Sequence, residues 1–397
     1  MGKRSGYVST ERVGAARPQT YNPTRTRPWP GTIHAERNVT VAKPDSWLVQ
    51  IHPREVPAGY LRWSYSLALG WLAGALFVIC CATGVLLAMH YRADATVAYG
   101  SILDIVSVVE CGRLLRSVHR FSGEAMIVCA VLHLAWVFLR RDRRGLRKWN
   151  WVVGVGLAFL ILLTNFTGYL LPWDQTSYWG VTICASMLDY TPWVGPLAKQ
   201  ILLGGSAVAD ESLVRFYALH VAVLPGALAL LIVYHLYRFK CDTVSLGDAH
   251  DDDVAGQGRP PMAAALPSLY HWELASLFAA LAVLILLGSY VDAPLAGPAD
   301  ARHPPNPAKA PWYFLWVQEL VSYSAVVGAL VVPWSLLAGG ILMPWLPGIG
   351  RPTKPAGPRA RWGWNAAFLA VCAGVVALTI VAACFRGQNW SWVVPWR

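Results

Sequence analysis

Apolar residues in this chain gather into long, nearly uncharged runs separated by polar or basic connections. Seven runs reach the roughly 20 residues that an α-helix needs to cross a bilayer core. They cover residues 64–90, 117–139, 149–171, 214–237, 273–291, 324–343 and 364–385. The pattern predicts an all-α integral membrane protein with seven transmembrane helices. Pro333 interrupts the sixth run, which a buried membrane helix tolerates when neighbouring groups satisfy the freed carbonyl.

Composition sharpens this picture. Of 397 residues, 55% are hydrophobic and 14% charged, against about a quarter charged in an ordinary soluble domain. The 20 tryptophans suit membrane interfaces. Ten Lys and Arg precede the first span, and six, three and four lie after the second, fourth and sixth, whereas the opposite face carries eight. The N-terminus is therefore expected on the cytoplasmic side of a cell inner (plasma) membrane. The net charge of +11 follows from this topology, so nucleic acid is not an expected partner. Residues 1–45 are rich in Arg, Pro and Thr and lack the apolar core of a signal peptide. They read as a polar, basic cytoplasmic extension, extended or disordered. Eight scattered cysteines form no CxxCH and no paired CxxC motif, and read as small buried hydrophobes.

Ionisable groups inside a bilayer are costly and mark function. The second span carries His119 and His133, the fourth His220 and His235. The first two are 14 residues apart, close to four turns, so their imidazoles share a face about 21 Å apart along the axis. The second two are 15 apart, a drift of about 100° on an ideal helix. Pro225 lies between them and offers a kink that restores the facing direction. Two parallel helices with two histidines at matched depth supply two bis-imidazole sites, the ligand set of low-spin b haems. His119 is expected to pair with His220 outside, and His133 with His235 inside.

Gly70 and Gly84 in the first span, and Gly154 and Gly168 in the third, repeat the 14-residue interval. Glycine lets a backbone approach a porphyrin closely; small-residue helix packing is the competing explanation. One interval shared by three spans favours two cofactors at two depths in a four-helix bundle. Arg116 lies one turn above His119, where it would either pair with a haem propionate or snorkel to the interface.

Several segments resemble the cytochrome b subunit of bc-type quinol–cytochrome c oxidoreductases. They are TGVLLAMHY (83–91), LLRSVHR (114–120), TGYLLPWDQTSYWG (167–180), RFYALHVAVLP (215–225) and PPNPAKAPWYFL (304–315). Seven spans and the 15-residue histidine interval look like the chloroplast and cyanobacterial form fused to its subunit IV. The resemblance implies two b haems, a Rieske iron–sulfur protein and a c-type cytochrome as partners, and a homodimeric complex. It also implies quinol oxidation at an outer site and electron transfer through both haems to a cytoplasmic quinone site, contributing to a proton-motive force. Tyr178, Trp179, Gly180, Trp312, Tyr313 and Phe314 are expected to line the outer pocket, aromatic walls suiting a quinone ring; interfacial anchoring is the plainer reading of the same aromatics. Glu273 and His271 resemble the inner quinone site, where Arg238 and Lys240 meet propionates, quinone or lipid headgroups.

Two departures stand out. The family usually has Pro-Glu-Trp-Tyr where this chain reads Ala310-Pro311-Trp312-Tyr313, so the acid generally assigned to accept a quinol proton is missing. Glu319, beside Tyr313 in the catalytic assignment, is the replacement nearest in sequence, with Asp174 and Asp292 behind it. Ala68 stands where the chloroplast type has a cysteine for a covalent haem, so no c-type haem is expected. His34, His52, His90, His250, His303 and the Asp251-Asp252-Asp253 run receive no role.

The expected organisation is the extension 1–45, a di-haem four-helix bundle over 46–245 and a three-helix, subunit IV-like region over 246–397. Two rivals remain: a haem b anchor of another quinone-linked dehydrogenase, and a cofactor-free transporter.

Overall fold

The computed structural model describes residues 55–57, 68–140, 147–248, 262–264, 268–347, 349 and 358–394. The chain divides into Met1–Asp45 and Ser46–Arg397, and all described residues belong to the second unit. The expectations for residues 1–45, His34, His52, His250, the Asp251-Asp252-Asp253 run and much of the basic loop sequence lie outside the described residues.

Seven helical spans are long and apolar enough to cross a membrane. The first is α1 (Leu69–Ala88). A short α2 (Ala98–Ser107) leads to the second, α3 (Gly112–Arg140), and the third is α4 (Lys148–Leu170). Two further short helices follow, α5 (Gln175–Ser186) and α6 (Gly195–Leu203). The fourth span joins α7 (Asp210–Ala218) to α8 (Leu224–Asp248), and the fifth is α9 (Ser268–Tyr290). Then come α10 (Leu315–Tyr323), α11 (Val332–Leu342) in the sixth span, and α12 (Pro358–Cys384), the seventh. Every expected span is present, and much of their apolar surface faces outward, as lipid requires. This is a multi-pass membrane protein. One detail departs from an all-α reading: Glu55–Pro57 and Met262–Ala264 pair as a three-residue antiparallel ribbon.

The core of the bundle is two helix pairs, α1 along α3 and α4 along α8, joined through α3 against α4. The apolar cluster of Leu76, Ile79, Val118, Met126, Ile127, Leu157, Ile161 and Leu228 fills the space between them. Helix α9 packs on the outside of α3, with Gly288 against Leu114 and Ser117.

The fourth and sixth spans each contain a π turn, Leu219–Val223 and Val327–Val331. Each ends two residues before a proline, Pro225 or Pro333. Proline has no N–H for the carbonyl four residues back and its ring clashes with that carbonyl. Widening the preceding turn to i→i+5 accommodates both problems without breaking the helix. A π turn also absorbs one extra residue. The 15 residues from His220 to His235 therefore advance like 14 in a plain helix, and the two imidazoles return to one face. The expected kink at Pro225 is thus a change of winding just upstream of it.

Candidate functional site

Each of the four span histidines lies against a glycine of a neighbouring helix. A Cβ added to Gly70 would meet His133 at 2.9 Å, to Gly84 His119 at 3.1 Å, and to Gly154 His235 at 3.4 Å. Gly168 against His220 is the tightest of the four. The glycines therefore make room first for the imidazoles, where the sequence reading had them face the porphyrin directly. On the outer side the rings of His119 and His220 oppose one another, centroids 6.1 Å apart and planes at 82°. Two imidazoles bound to one metal at about 2 Å each place their centroids roughly 6 Å apart.

Thr83 Oγ1 lies 2.9 Å from His119 Nδ1, and the Thr164 carbonyl oxygen lies 2.9 Å from His220 Nδ1. Thr167 Oγ1 is more distant from His220 Nδ1, at 3.5 Å. Engaging Nδ1 fixes the ring and leaves Nε2 as the nitrogen that could face a metal. Among the described residues, the buried Nδ1 atoms of His133 and His235 make no hydrogen bond of ordinary geometry. Among the described residues no group of three or more His, Cys, Asp or Glu gathers as a metal site. Paired imidazoles are a donor set suited to an iron whose other ligands come from a macrocycle. These residues fit haem b. The threonines were missed in the sequence reading, although the Thr-Gly pairs at 83–84 and 167–168 carry the signal.

Arg116, expected at a haem propionate or at the interface, is engaged by loop carbonyls. Its Nη1 and Nη2 donate to the carbonyls of Ala293 and Pro294, both at 2.7 Å, clamping the start of α3 to the loop after α9.

The outer face is built by two loop segments stitched together. Asp174 caps α5, accepting from Ser177 N at 2.8 Å, while its other oxygen accepts from Ala296 N at 2.9 Å. Gln175 N donates to the Gly297 carbonyl and Asp300 N to Gln175 Oε1. Trp179 Nε1 donates to the Asp300 carbonyl at 3.0 Å, and Tyr178 turns away to donate to the Val208 carbonyl at 3.2 Å. Gly180 sits under the other loop, with Tyr169, the Lys309 carbonyl and Pro311 over its α-carbon. Trp312, Tyr313 and Phe314 form a single 3₁₀ turn, with Tyr313 buried and Phe314 edge-on to Phe166. Gln318 braces the segment before this turn, accepting from Ala310 N and donating to the Ala308 carbonyl. The sequence reading overlooked it. Burial pushes the Tyr313 hydroxyl well above the usual phenol value. A cavity of about 230 Å³ opens nearby between α5 and α10, lined by Ile183, Met187, Gln318, Val321 and Trp390 among others. None of the six expected lining residues borders it.

Glu319 is fully buried and engaged. It accepts from Arg386 Nε at 3.1 Å on each oxygen, from Arg386 Nη2 at 2.5 Å, from Tyr323 at 2.8 Å and from Trp390 Nε1 at 3.0 Å. Burial alone would raise its pKa, but these hydrogen bonds outweigh burial and hold it below the usual carboxylate range. A carboxylate so saturated is a structural anion, which argues against Glu319 as proton acceptor. At the inner end, the Glu273 carbonyl accepts from Trp71 Nε1 at 2.8 Å, next to Gly70 and its histidine; His271 is exposed.

The family described as cytochrome b/b6/petB matches residues 57–242. The cytochrome b6 of Acaryochloris marina is 36% identical over 177 residues, covering 45% of this chain and 82% of that protein. That of Prochlorothrix hollandica is 34% identical over 177 residues, covering 45% and 80%. A hyperthermophilic respiratory Complex III structure shares the fold, with a TM-score of 0.69 at 24% identity over 80% of this chain and 84% of the other. The chain belongs to the cytochrome b/b6 family.

Proposed function

We propose that this chain is the di-haem subunit of a quinol:cytochrome c oxidoreductase, active within a complex that contains a Rieske iron–sulfur protein and a c-type cytochrome. His119 and His220 would hold the outer haem, His133 and His235 the inner one. Haem supplies one-electron redox chemistry when bound. The protein orients the imidazoles, seats them on glycine and excludes water with the apolar cluster around Ile127 and Leu157. Quinol would be oxidised beside the stitched outer loops, among Trp179, Gly180 and the Trp312–Phe314 turn. Quinone would be reduced near Glu273 and His271 on the cytoplasmic side, the side that also holds the N-terminus. Protons leaving on one face and entering on the other would store energy across the membrane. Residues 46–245 would carry the haems and residues 246–397 would complete the outer site, in a homodimeric complex.

One observation carries this reading: two imidazoles from different spans face each other across 6.1 Å at the depth of two glycines. The test is haem content of the purified protein. Two non-covalent haems b per chain, reducible by quinol, are expected, and a denaturing gel stained for haem should leave this chain colourless, since Ala68 offers no thiol. A colourless native protein would favour the transporter. A haem b protein that reduces quinone but is never reduced by quinol would favour the dehydrogenase anchor.

A further inference from the structure

The outer half of the bundle contains an ion pair that the haem sites do not use. Arg120 Nε donates to Glu124 Oε1 at 2.6 Å, one turn apart on α3, with each side chain 28% exposed. Placing an acid and a base at this depth is costly in lipid, and such residues mark proton or ion paths. The Arg120 guanidinium lies over the ring of Tyr169, 5.1 Å from its centroid. Tyr169 in turn packs against Gly180, which touches Pro311 at the start of the Trp312–Phe314 turn. The pair therefore underlies the place where the two outer loops meet.

The acids nearest the two outer loops are engaged or exposed. Both oxygens of Asp174 accept backbone N–H groups. Glu319 is saturated by Arg386, Tyr323 and Trp390. Asp292 and Asp300 are exposed, beside Arg113 and His303. Glu124 Oε2 takes no hydrogen bond among the described residues. Arg120 on α3 itself, Tyr169 on α4, Cys184 on α5 and Tyr313 above are the charged or titratable groups that share its corner, with Asp174 beyond Tyr169.

Resting on the function proposed above, we propose that Glu124 is the base that takes a proton from quinol bound beside Tyr169 and the Trp312–Phe314 turn, with Arg120 and Tyr169 as its positioning residues. Quinol loses two protons and two electrons. One O–H bond breaks with its proton passing to the Glu124 carboxylate, which becomes the neutral acid. The second proton leaves from the other hydroxyl to the outer aqueous side. The two electrons go singly to one-electron acceptors of two classes, a haem iron and an iron–sulfur centre of the partner. Arg120 orients the Glu124 carboxylate through its 2.6 Å hydrogen bond and is itself held over the Tyr169 ring as a cation–π partner.

The test uses the whole complex. Glu124→Gln should lower kcat for quinol oxidation by about 100-fold, change KM far less, and remove the acidic limb of the kcat–pH profile. Glu124→Asp should restore part of the rate with a displaced profile. Normal haem spectra together with wild-type kcat and pH profile in Glu124→Gln would overturn this assignment and leave the haem reading standing. Absence of haem b from the wild-type complex would overturn both. Should Glu124→Gln fail to assemble, quinol-induced infrared difference spectra decide. A carboxylic acid carbonyl band is expected in the wild type, shifted or lost in Glu124→Asp. No band in the wild type, or one unmoved by the substitution, would overturn the proposal.

Discussion

Each haem-ligand candidate is paired with a glycine, and the four gaps are graded. Gly154 leaves an ordinary contact to His235 at 3.4 Å, whereas Gly168 has no room for even a methyl group beside His220. Overpacking a rigid site costs about 1–3 kcal/mol, and here the displaced group is a proposed haem ligand. Gly168→Ala is expected to remove the outer haem, lowering haem per chain from two to one by pyridine haemochrome assay, while Gly154→Ala keeps both. Equal haem content in the two variants would contradict the ranking. Thr83 would act through His119 rather than on a bound iron. Losing such a partner weakens a metal site by about 10–100-fold, so Thr83→Val should speed haem loss from the outer site while sparing the inner one, as followed by transfer to apomyoglobin. The glycines and the first histidine pair were legible because all repeat at 14 residues, an interval that helix geometry translates into depth, and the second histidine pair because its 15 residues differ by only one. The direction of Arg116 was not, because its partners are loop carbonyls that lie 177 and 178 residues away.

The spans themselves were readable from hydropathy alone, since lipid demands an apolar surface along each and leaves little freedom. Their internal winding was only half readable. Proline signalled a disturbance in the fourth and sixth spans, but whether a helix answers with a bend or a wider turn depends on its neighbours. In the fourth span the wider turn, Leu219–Val223, restores the facing of His220 and His235. Deleting Ala222 should relax this turn to ordinary winding and keep the two histidines on one face, so both haems should survive. Inserting one alanine after Leu230 adds about 100° of rotation and should cost the site one haem. The spectrum of each variant, read for one or two b haems, checks the contrast; an insertion better tolerated than the deletion would refute it.

Across the whole molecule, the chain closes on its own outer face. After α12 the backbone forms a 3₁₀ turn at Gln388–Trp390, and Arg386 bridges to Trp392. Arg386 also lies over the Trp392 ring at 4.1 Å and reaches Glu319 on α10, which follows directly from the Trp312–Phe314 turn. The segment after the last span thereby holds the outer loop in place, a contact between positions 67 residues apart that no local pattern announces. Removing one partner from a buried pair leaves an uncompensated charge, worth about 3–5 kcal/mol, so Glu319→Gln should lower the melting temperature of the complex. Replacing Glu319 and Arg386 together with methionine should recover much of the loss. The pH dependence has a definite sign. Hydrogen bonds from Arg386, Tyr323 and Trp390 overcome the opposing effect of burial and hold the folded-state pKa of Glu319 below its usual value. Its contribution is therefore complete above the unfolded carboxylate pKa of about 4.3 and disappears as pH falls through the lower folded value. Wild-type melting temperature should drop across that acidic window, and the gap to Glu319→Gln should narrow with it. A gap that stays constant down to the acid limit would mean that the buried pair does not anchor the outer loop.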